Sequence, residues 1–310
     1  MARSQALTGI LFAIGGTLIF SVNDVAIKFL SGGYALHQVI LIRALIGMVF
    51  VLSFIRFTGI GFGQLRTKRW KEHLFRVVLI MISNVTFFLG LAALPLADAV
   101  AVAFVSPIAV TVLSVVFLKE TVGPRRWAAV LAGMVGVIIM VRPGAGVIEP
   151  AALLVLISAI LYAGGNLMTR RMGETESAVS FSFFVQSGFI VVSLSMGLWV
   201  GDGRLANEGT LNGFLFRPWI WPPLADWPIL LATGLSVTIG GMMIAQAYRT
   251  VEAGLVAPFE YVGMPMAIFW GVVVFGTFPD LTGWAGIALI CGSGLYTIWR
   301  ETTRKRVDAA

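Results

Sequence analysis

The sequence predicts an all-α integral membrane protein with ten transmembrane helices, arranged as two inverted five-helix repeats around a central cavity. The composition, a series of long apolar stretches and the placement of basic residues predict this fold class. Of the 310 residues, 58% are hydrophobic and 12% are charged, and the mean hydropathy is +0.92. Soluble domains carry about 25% charged residues. Because so little charge cannot cover a water-facing surface, the composition excludes an ordinary soluble enzyme.

Long apolar stretches recur along the whole chain and are separated by short polar joints. Each stretch is long enough to cross about 30 Å of hydrocarbon as a helix, which satisfies its own backbone polar groups. Ten such helices leave no room for a sizeable domain outside the membrane. The predicted spans are 6–30, 35–57, 73–94, 97–118, 124–142, 149–169, 178–200, 227–248, 254–275 and 282–300.

The basic residues indicate the orientation of the chain. Most of the 22 Lys and Arg residues fall in alternate joints, and Arg76 is counted among them. Because cytoplasmic loops are enriched in these residues, the bias predicts a multi-pass protein of the inner (plasma) membrane with both termini in the cytoplasm. The net charge of +7 is then a topology signal that also attracts anionic lipid, and no nucleic-acid partner is expected.

The two halves of the chain resemble each other weakly. The matched positions are Phe20, Asp24 and Lys28 in the first span with Tyr162, Asn166 and Arg170 in the sixth, and Pro107 in the fourth with Pro265 in the ninth. We therefore expect a first repeat at 1–147, a second at 148–300 and a basic cytoplasmic tail at 301–310. Five spans per half make the repeats inverted, a pattern typical of secondary transporters whose site lies between the halves.

Three stretches resemble the EamA-type ten-helix transporters of the drug/metabolite transporter superfamily: 92–99 (AALPLADA), 118–121 (LKET) and 247–261. The resemblance implies alternating access and a cavity lined by the first, third, fourth, sixth, eighth and ninth spans, with the second and seventh flanking it. Export of amino acids is the function we favour at this point. The alternative is a carrier for riboflavin, S-adenosylmethionine or a similar metabolite.

Asp24 and Arg43 are the first candidates for contact with the solute. Both are predicted to lie about 10 Å below the outer surface, on neighbouring helices. Ionisable groups inside hydrocarbon need a partner or a watery cavity. The pair is expected either to bind the ammonium and carboxylate of a zwitterion or to form a structural salt bridge between two helices.

Glu260 is the candidate for proton coupling. It lies inside the ninth span between Pro258 and Pro265, whose rings remove backbone hydrogen bonds, as Pro107 does in the fourth span. A carboxylate buried there can take up a proton, because desolvation disfavours the charged form. The alternatives are a neutral, hydrogen-bonded Glu260 and a pair with Arg249. The other polar candidates for the cavity are Asn84, Tyr162, Asn166, Gln186, Gln246 and Tyr261.

Two other classes of protein are less favoured. A membrane-embedded enzyme would need a catalytic motif, and none of the common nucleophile, metal or phosphate-binding motifs occurs in the sequence. A channel would need a ring of charges or carbonyls. We therefore expect no catalytic residues, no cofactor and no metal, with a small-molecule solute and the lipid bilayer as partners. The 22 Phe residues are interpreted as lipid-facing or core residues, and the oligomeric state is left open.

Overall fold

The computed structural model describes residues 2–119, 150–206, 211–289 and 291–293, with isolated positions between 123 and 139 and residue 296. Within these residues all regular structure is helical, and eight helices are long and apolar enough to cross a membrane. They match predicted spans one to four and six to nine. Most of predicted span 124–142 and the whole tail 301–310 lie outside the described residues, so the count of ten spans stays a prediction.

The helices begin and end close to the predicted positions. Their bounds are α1 Ala2–Leu30, α2 Leu36–Thr58, α3 Trp70–Ala93, α4 Leu96–Ala103, α5 Val105–Leu118, α6 Pro150–Met172, α7 Ala178–Val200, α8 Leu211–Phe216, α9 Trp227–Thr250, α10 Ala253–Val256, α11 Gly263–Phe275 and α12 Leu281–Ser293. Helix α12 covers part of predicted span 282–300. Three short 3-10 segments, Phe62–Leu65, Leu224–Asp226 and Ala257–Val262, join them.

Two spans are broken inside the bundle. The fourth span is divided into α4 and α5 at Phe104, three residues before Pro107, whose missing N–H cannot bond to the carbonyl of Ala103. In the ninth span, the 3-10 segment Ala257–Val262 separates α10 from α11. Pro265 lies in the first turn of α11, where backbone N–H groups have no intrahelical acceptor. The break in this span therefore includes Pro258 and precedes Pro265, whereas the sequence analysis expected both prolines to interrupt the helix.

Helices from the first half of the chain pack along helices from the second half. The most extensive contacts join α1 to α9, α3 to α6 and α2 to α7. Small residues permit these close crossings. A Cβ on Gly16 of α1 would lie 3.0 Å from the carbonyl oxygen of Gly240 on α9, and a Cβ on Gly90 of α3 would lie 2.7 Å from that of Ala151 on α6. The space at the centre of the bundle is consequently bounded by both halves.

Candidate functional site

A cavity of about 240 Å³ lies at the centre of the bundle. Small-molecule sites usually measure about 300–1,000 Å³, so this cavity is slightly smaller than the usual range. Its lining comes from α1, α3, α4, α5, α6, α7, α9, α11 and the 3-10 segment Ala257–Val262. Helix α7, which was expected only to flank the cavity, contributes five side chains to it, whereas α2 stands behind the lining.

Aromatic rings form much of the cavity wall. The rings are those of Phe20, Phe87, Phe88, Phe104, Tyr162, Phe181, Phe189 and Trp270. The six phenylalanines were interpreted from the sequence as lipid-facing or core residues, so this wall was missed. They come from separate parts of the chain and share no spacing, so no sequence pattern could have assembled them.

A chain of polar contacts links Asp24 to Arg43 at one end of the cavity. The buried guanidinium of Arg43 donates from Nη2 to Oδ1 of Asn84 (2.6 Å) and from Nη1 to Oδ1 of Asn23 (3.4 Å). Asn23 in turn donates from Nδ2 to Oδ1 of Asp24 at 3.2 Å. Asp24, Asn23 and Asn84 line the cavity. Arg43 is thus linked to Asp24 through Asn23, and the predicted direct salt bridge between the two side chains is not formed.

Arg43 packs against the outer side of two aromatic rings of the cavity wall. Its Cζ lies 5.1 Å from the ring centroid of Phe88 and 5.2 Å from that of Phe189, and its side chain is 1% exposed. Cation–π contacts of this kind stabilise a desolvated guanidinium. The two rings that stabilise Arg43 also face the cavity, so the residue positions part of the aromatic wall.

Glu260 is held by two tyrosine hydroxyls. It lies in the 3-10 segment of the broken ninth span, is buried and lines the cavity. The hydroxyl of Tyr248 donates to its Oε1, and that of Tyr162 donates to its Oε2 at 3.2 Å. Arg249, the alternative partner, donates instead to the backbone carbonyl of Glu176 at 3.0 Å. Of the alternatives considered for Glu260, the hydrogen-bonded carboxyl therefore fits the geometry.

Two of the predicted amides on the second half of the chain reach the cavity. Asn166 and Gln186 both line it, and Gln186 donates from Nε2 to Oγ1 of Thr238 at 2.7 Å. Two other candidates do not line it. Gln246 accepts a hydrogen bond from Arg249 at 3.1 Å, near the end of α9. Tyr261 is buried against Phe104 with ring centroids 5.2 Å apart.

Arg76 is a cavity residue that the sequence analysis assigned to a basic joint. It lies on α3, is 6% exposed and faces the cavity. Its Nε donates to Oγ1 of Thr169 at 2.6 Å, its Nη1 donates to the carbonyl of Phe181 at 3.4 Å, and its Cζ lies 4.7 Å from the Phe181 ring. A signal was present, because Arg76 already stands inside an apolar stretch long enough to span the membrane.

Polar contacts join helices and joints at the end of the bundle near Leu30. Lys28 donates from Nζ to the carbonyls of Leu91 and Leu94, at 2.8 and 2.6 Å, and so caps the last turn of α3. Arg217 donates to the carbonyl of Ser31 at 2.9 Å. Segment 211–226 is thereby tied across the joint between α1 and α2.

Glu176 ties together the opposite end of the bundle. Its carboxylate accepts hydrogen bonds from Thr67 (2.6 Å) and Ser180 (3.0 Å) and lies 3.1 Å from Nε2 of His73. Burial opposes ionisation, but these neighbours outweigh it and hold the pKa of Glu176 below its ordinary value. Glu176 therefore connects three parts of the chain: the joint before α3, the joint between α6 and α7, and the end of α9 at Arg249.

The comparisons with known proteins agree with this architecture. Residues 7–142 match the model of the EamA-like transporter family. The eight apolar helices and this match indicate a multi-pass membrane protein whose first half is similar to that transporter family. Within the described residues no group of three or more His, Cys, Asp or Glu is placed to hold a metal ion.

The similar proteins are named as carriers of metabolites. A riboflavin transporter of Rhizobium johnstonii is 28% identical over 306 residues, which cover 99% of this chain and 96% of that protein. An S-adenosylmethionine uptake transporter of Rickettsia bellii is 25% identical and covers 91% and 90%. A solved crystal structure shares the fold with a TM-score of 0.67 and 18% identity, over 94% of this chain and 95% of the other.

These names bear on the functions considered above. The family and the two relatives are transporters, consistent with the expectation that the chain is not an enzyme. The two relatives carry the solutes of the alternative function, riboflavin and S-adenosylmethionine. Amino-acid export, the function favoured from the sequence, is not supported by them.

Proposed function

We propose that this chain is a secondary transporter of the plasma membrane that carries riboflavin, or a closely similar flat heterocycle, through the central cavity by alternating access. The observation that carries the proposal is the aromatic wall of the cavity. A flavin is a large planar ring system, and aromatic side chains pack against such rings in offset-stacked or edge-to-face geometry. The name of the Rhizobium relative supports the same solute.

The polar groups of the cavity suit the rest of a flavin. Asn84, Asn166 and Gln186 carry amides that both donate and accept hydrogen bonds, which matches the mixed donors and acceptors at the edge of the ring. Five serines, Ser21, Ser83, Ser106, Ser158 and Ser182, also line the cavity. Their hydroxyls match the polyol chain of riboflavin.

S-adenosylmethionine is the second candidate. It also has a flat heterocycle, and it carries a positively charged sulfonium. The observation that favours it is the presence of two carboxyl groups, Asp24 and Glu260, in the cavity lining. A carboxylate in a desolvated site stabilises a cation, whereas uncharged riboflavin makes no such use of it. The two solutes are therefore distinguishable by experiment.

Alternating access also rests on the proposed topology of ten spans, with inverted repeats at 1–147 and 148–300 and both termini in the cytoplasm. The helix contacts support it. Under the proposed two-fold relation, span one corresponds to span six, span two to span seven and span three to span eight. The contact between spans one and eight (α1 and α9) then corresponds to the contact between spans six and three (α6 and α3). The contact between spans two and seven (α2 and α7) corresponds to itself. These are the most extensive contacts between the halves, as a two-fold relation between inverted repeats requires.

Transport by purified protein in liposomes tests the proposed function. We expect radiolabelled riboflavin to accumulate faster than in protein-free liposomes, and unlabelled riboflavin to compete with it. Labelled S-adenosylmethionine and a panel of amino acids are assayed in parallel, with and without a pH gradient. Transport of amino acids without transport of either heterocycle would overturn the proposal and restore amino-acid export, the function favoured from the sequence.

A further inference from the structure

One region of the cavity presents hydrogen-bond donors that have no acceptor. The guanidinium of Arg76 has five N–H donors. Its Nε and Nη1 bond to Thr169 and Phe181, and its Nη2 bonds to none of the described residues. Arg76 also forms no ion pair with a described carboxylate. Because an ionised group inside a membrane bundle needs compensation, an acceptor in the cavity would stabilise it.

Two further polar atoms in the lining are unpartnered. Asn166 is 3% exposed and lies beside the hydroxyls of Tyr162 and Tyr248, but its Nδ2 is within hydrogen-bonding geometry of no described acceptor. Ser106 is 6% exposed, and its hydroxyl makes no hydrogen bond to the residues that the structure describes. Both residues line the cavity. Since buried polar groups in folded proteins are almost always satisfied, these atoms point to a ligand that brings acceptors.

We propose that Arg76 and Asn166 form the specificity-determining end of the site and bind a planar group that carries two neighbouring acceptor atoms. This inference rests on the proposed function. In riboflavin the group is a ring carbonyl oxygen with the adjacent unprotonated ring nitrogen, and in S-adenosylmethionine it is the carboxylate. The rigid fork of a guanidinium matches two parallel acceptors, which the single point charge of a lysine does not.

The rest of the solute then extends toward the Asp24 end. Arg76 and Asn84 are eight residues apart on α3, which is about 12 Å along the helix axis. Asn84 belongs to the chain of contacts that joins Arg43 to Asp24. Rings of the aromatic wall lie at both ends, with Phe181 against Arg76 and Phe88 against Arg43, so a long, flat solute would meet donors at one end and amides and a carboxylate at the other.

Equilibrium binding to the purified full chain in detergent tests the assignment, since a dissociation constant does not depend on how much protein folds. Riboflavin and S-adenosylmethionine are titrated separately against wild type, Arg76→Gln, Arg76→Lys and Asn166→Ala. Arg56→Gln is the matched control, because it removes a positive charge from an exposed position at the end of α2, away from the cavity. Thermal stability is recorded for every variant.

We expect Arg76→Gln to raise the dissociation constant of the transported solute about tenfold or more, the size expected for loss of a charged hydrogen bond. Arg76→Lys should recover part of that loss, and Asn166→Ala should weaken binding less. A larger loss for riboflavin identifies the acceptor edge of the flavin ring, and a larger loss for S-adenosylmethionine identifies the carboxylate.

Wild-type affinity for both solutes in Arg76→Gln would overturn the inference while leaving the proposed function intact. If Arg76→Gln does not fold, wild-type affinity in Arg76→Lys and Asn166→Ala overturns it equally. If wild-type protein neither binds nor transports either solute, the proposed function fails and this inference fails with it.

Discussion

Replacing Glu260 with glutamine is expected to abolish the stimulation of transport by a pH gradient. Glu260 lies in a broken span, faces the cavity and is held by neutral tyrosine hydroxyls. Burial without a counter-ion disfavours the charged carboxylate, so the group is suited to carry a proton between the two sides of the membrane. Glutamine keeps the size and cannot exchange a proton; its amide nitrogen donates where a carboxylate oxygen accepts, so one tyrosine hydroxyl must turn and accept instead.

The measurement is riboflavin accumulation in liposomes at a series of internal and external pH values. Glu252→Gln is the matched control, because Glu252 is an exposed carboxylate in the joint just before α10. The control should retain the wild-type response. A wild-type pH profile in the Glu260→Gln variant would show that Glu260 does not couple transport to the proton gradient and has only a structural, hydrogen-bonding role.

A tryptophan at position 241 is expected to block transport. Gly241 lies on α9 and lines the cavity, and a Cβ built there would meet only Cζ of Phe20, at 3.9 Å. Because that is ordinary van der Waals contact, Gly241→Trp can fold, and its indole would occupy space that the solute needs. We expect the transport rate in liposomes to fall to that of protein-free liposomes and riboflavin binding to be lost.

The matched control for this variant is Gly292→Trp. A Cβ at Gly292 has no heavy atom within 4 Å, and the residue is exposed on α12. The control should transport riboflavin at the wild-type rate. Wild-type transport by Gly241→Trp would show that the solute follows another route through the protein.

Hydropathy predicted eight of the described helices well, because a membrane helix must be about 20 apolar residues long and the joints between such stretches are short. It could not predict how each helix is rotated. That rotation is fixed by contacts such as the Gly16–Gly240 crossing, which bring residues distant in sequence together. The cavity-facing phenylalanines and the lipid-facing ones therefore look alike in the sequence.

The polar candidates show the same division. Depth along the helices correctly suggested that Asp24 and Arg43 belong together, but it missed that Asn23 connects them. Arg76 was missed because Arg residues near the end of a span usually anchor it at the surface. Its contacts with Thr169 and Phe181 depend on how α6 and α7 pack against α3, so the sequence of α3 alone could not predict them.

Protection of a cavity thiol by riboflavin tests most directly whether the solute occupies this cavity. Cys291 is the single cysteine and is replaced with serine; Ser182→Cys then places a thiol in the lining on α7, and Thr58→Cys places one at the exposed end of α2, away from the cavity. Saturating riboflavin should slow maleimide labelling of the Ser182→Cys variant and leave labelling of the Thr58→Cys variant unchanged. Equal labelling of the Ser182→Cys variant with and without riboflavin, in protein that still transports it, would contradict the account.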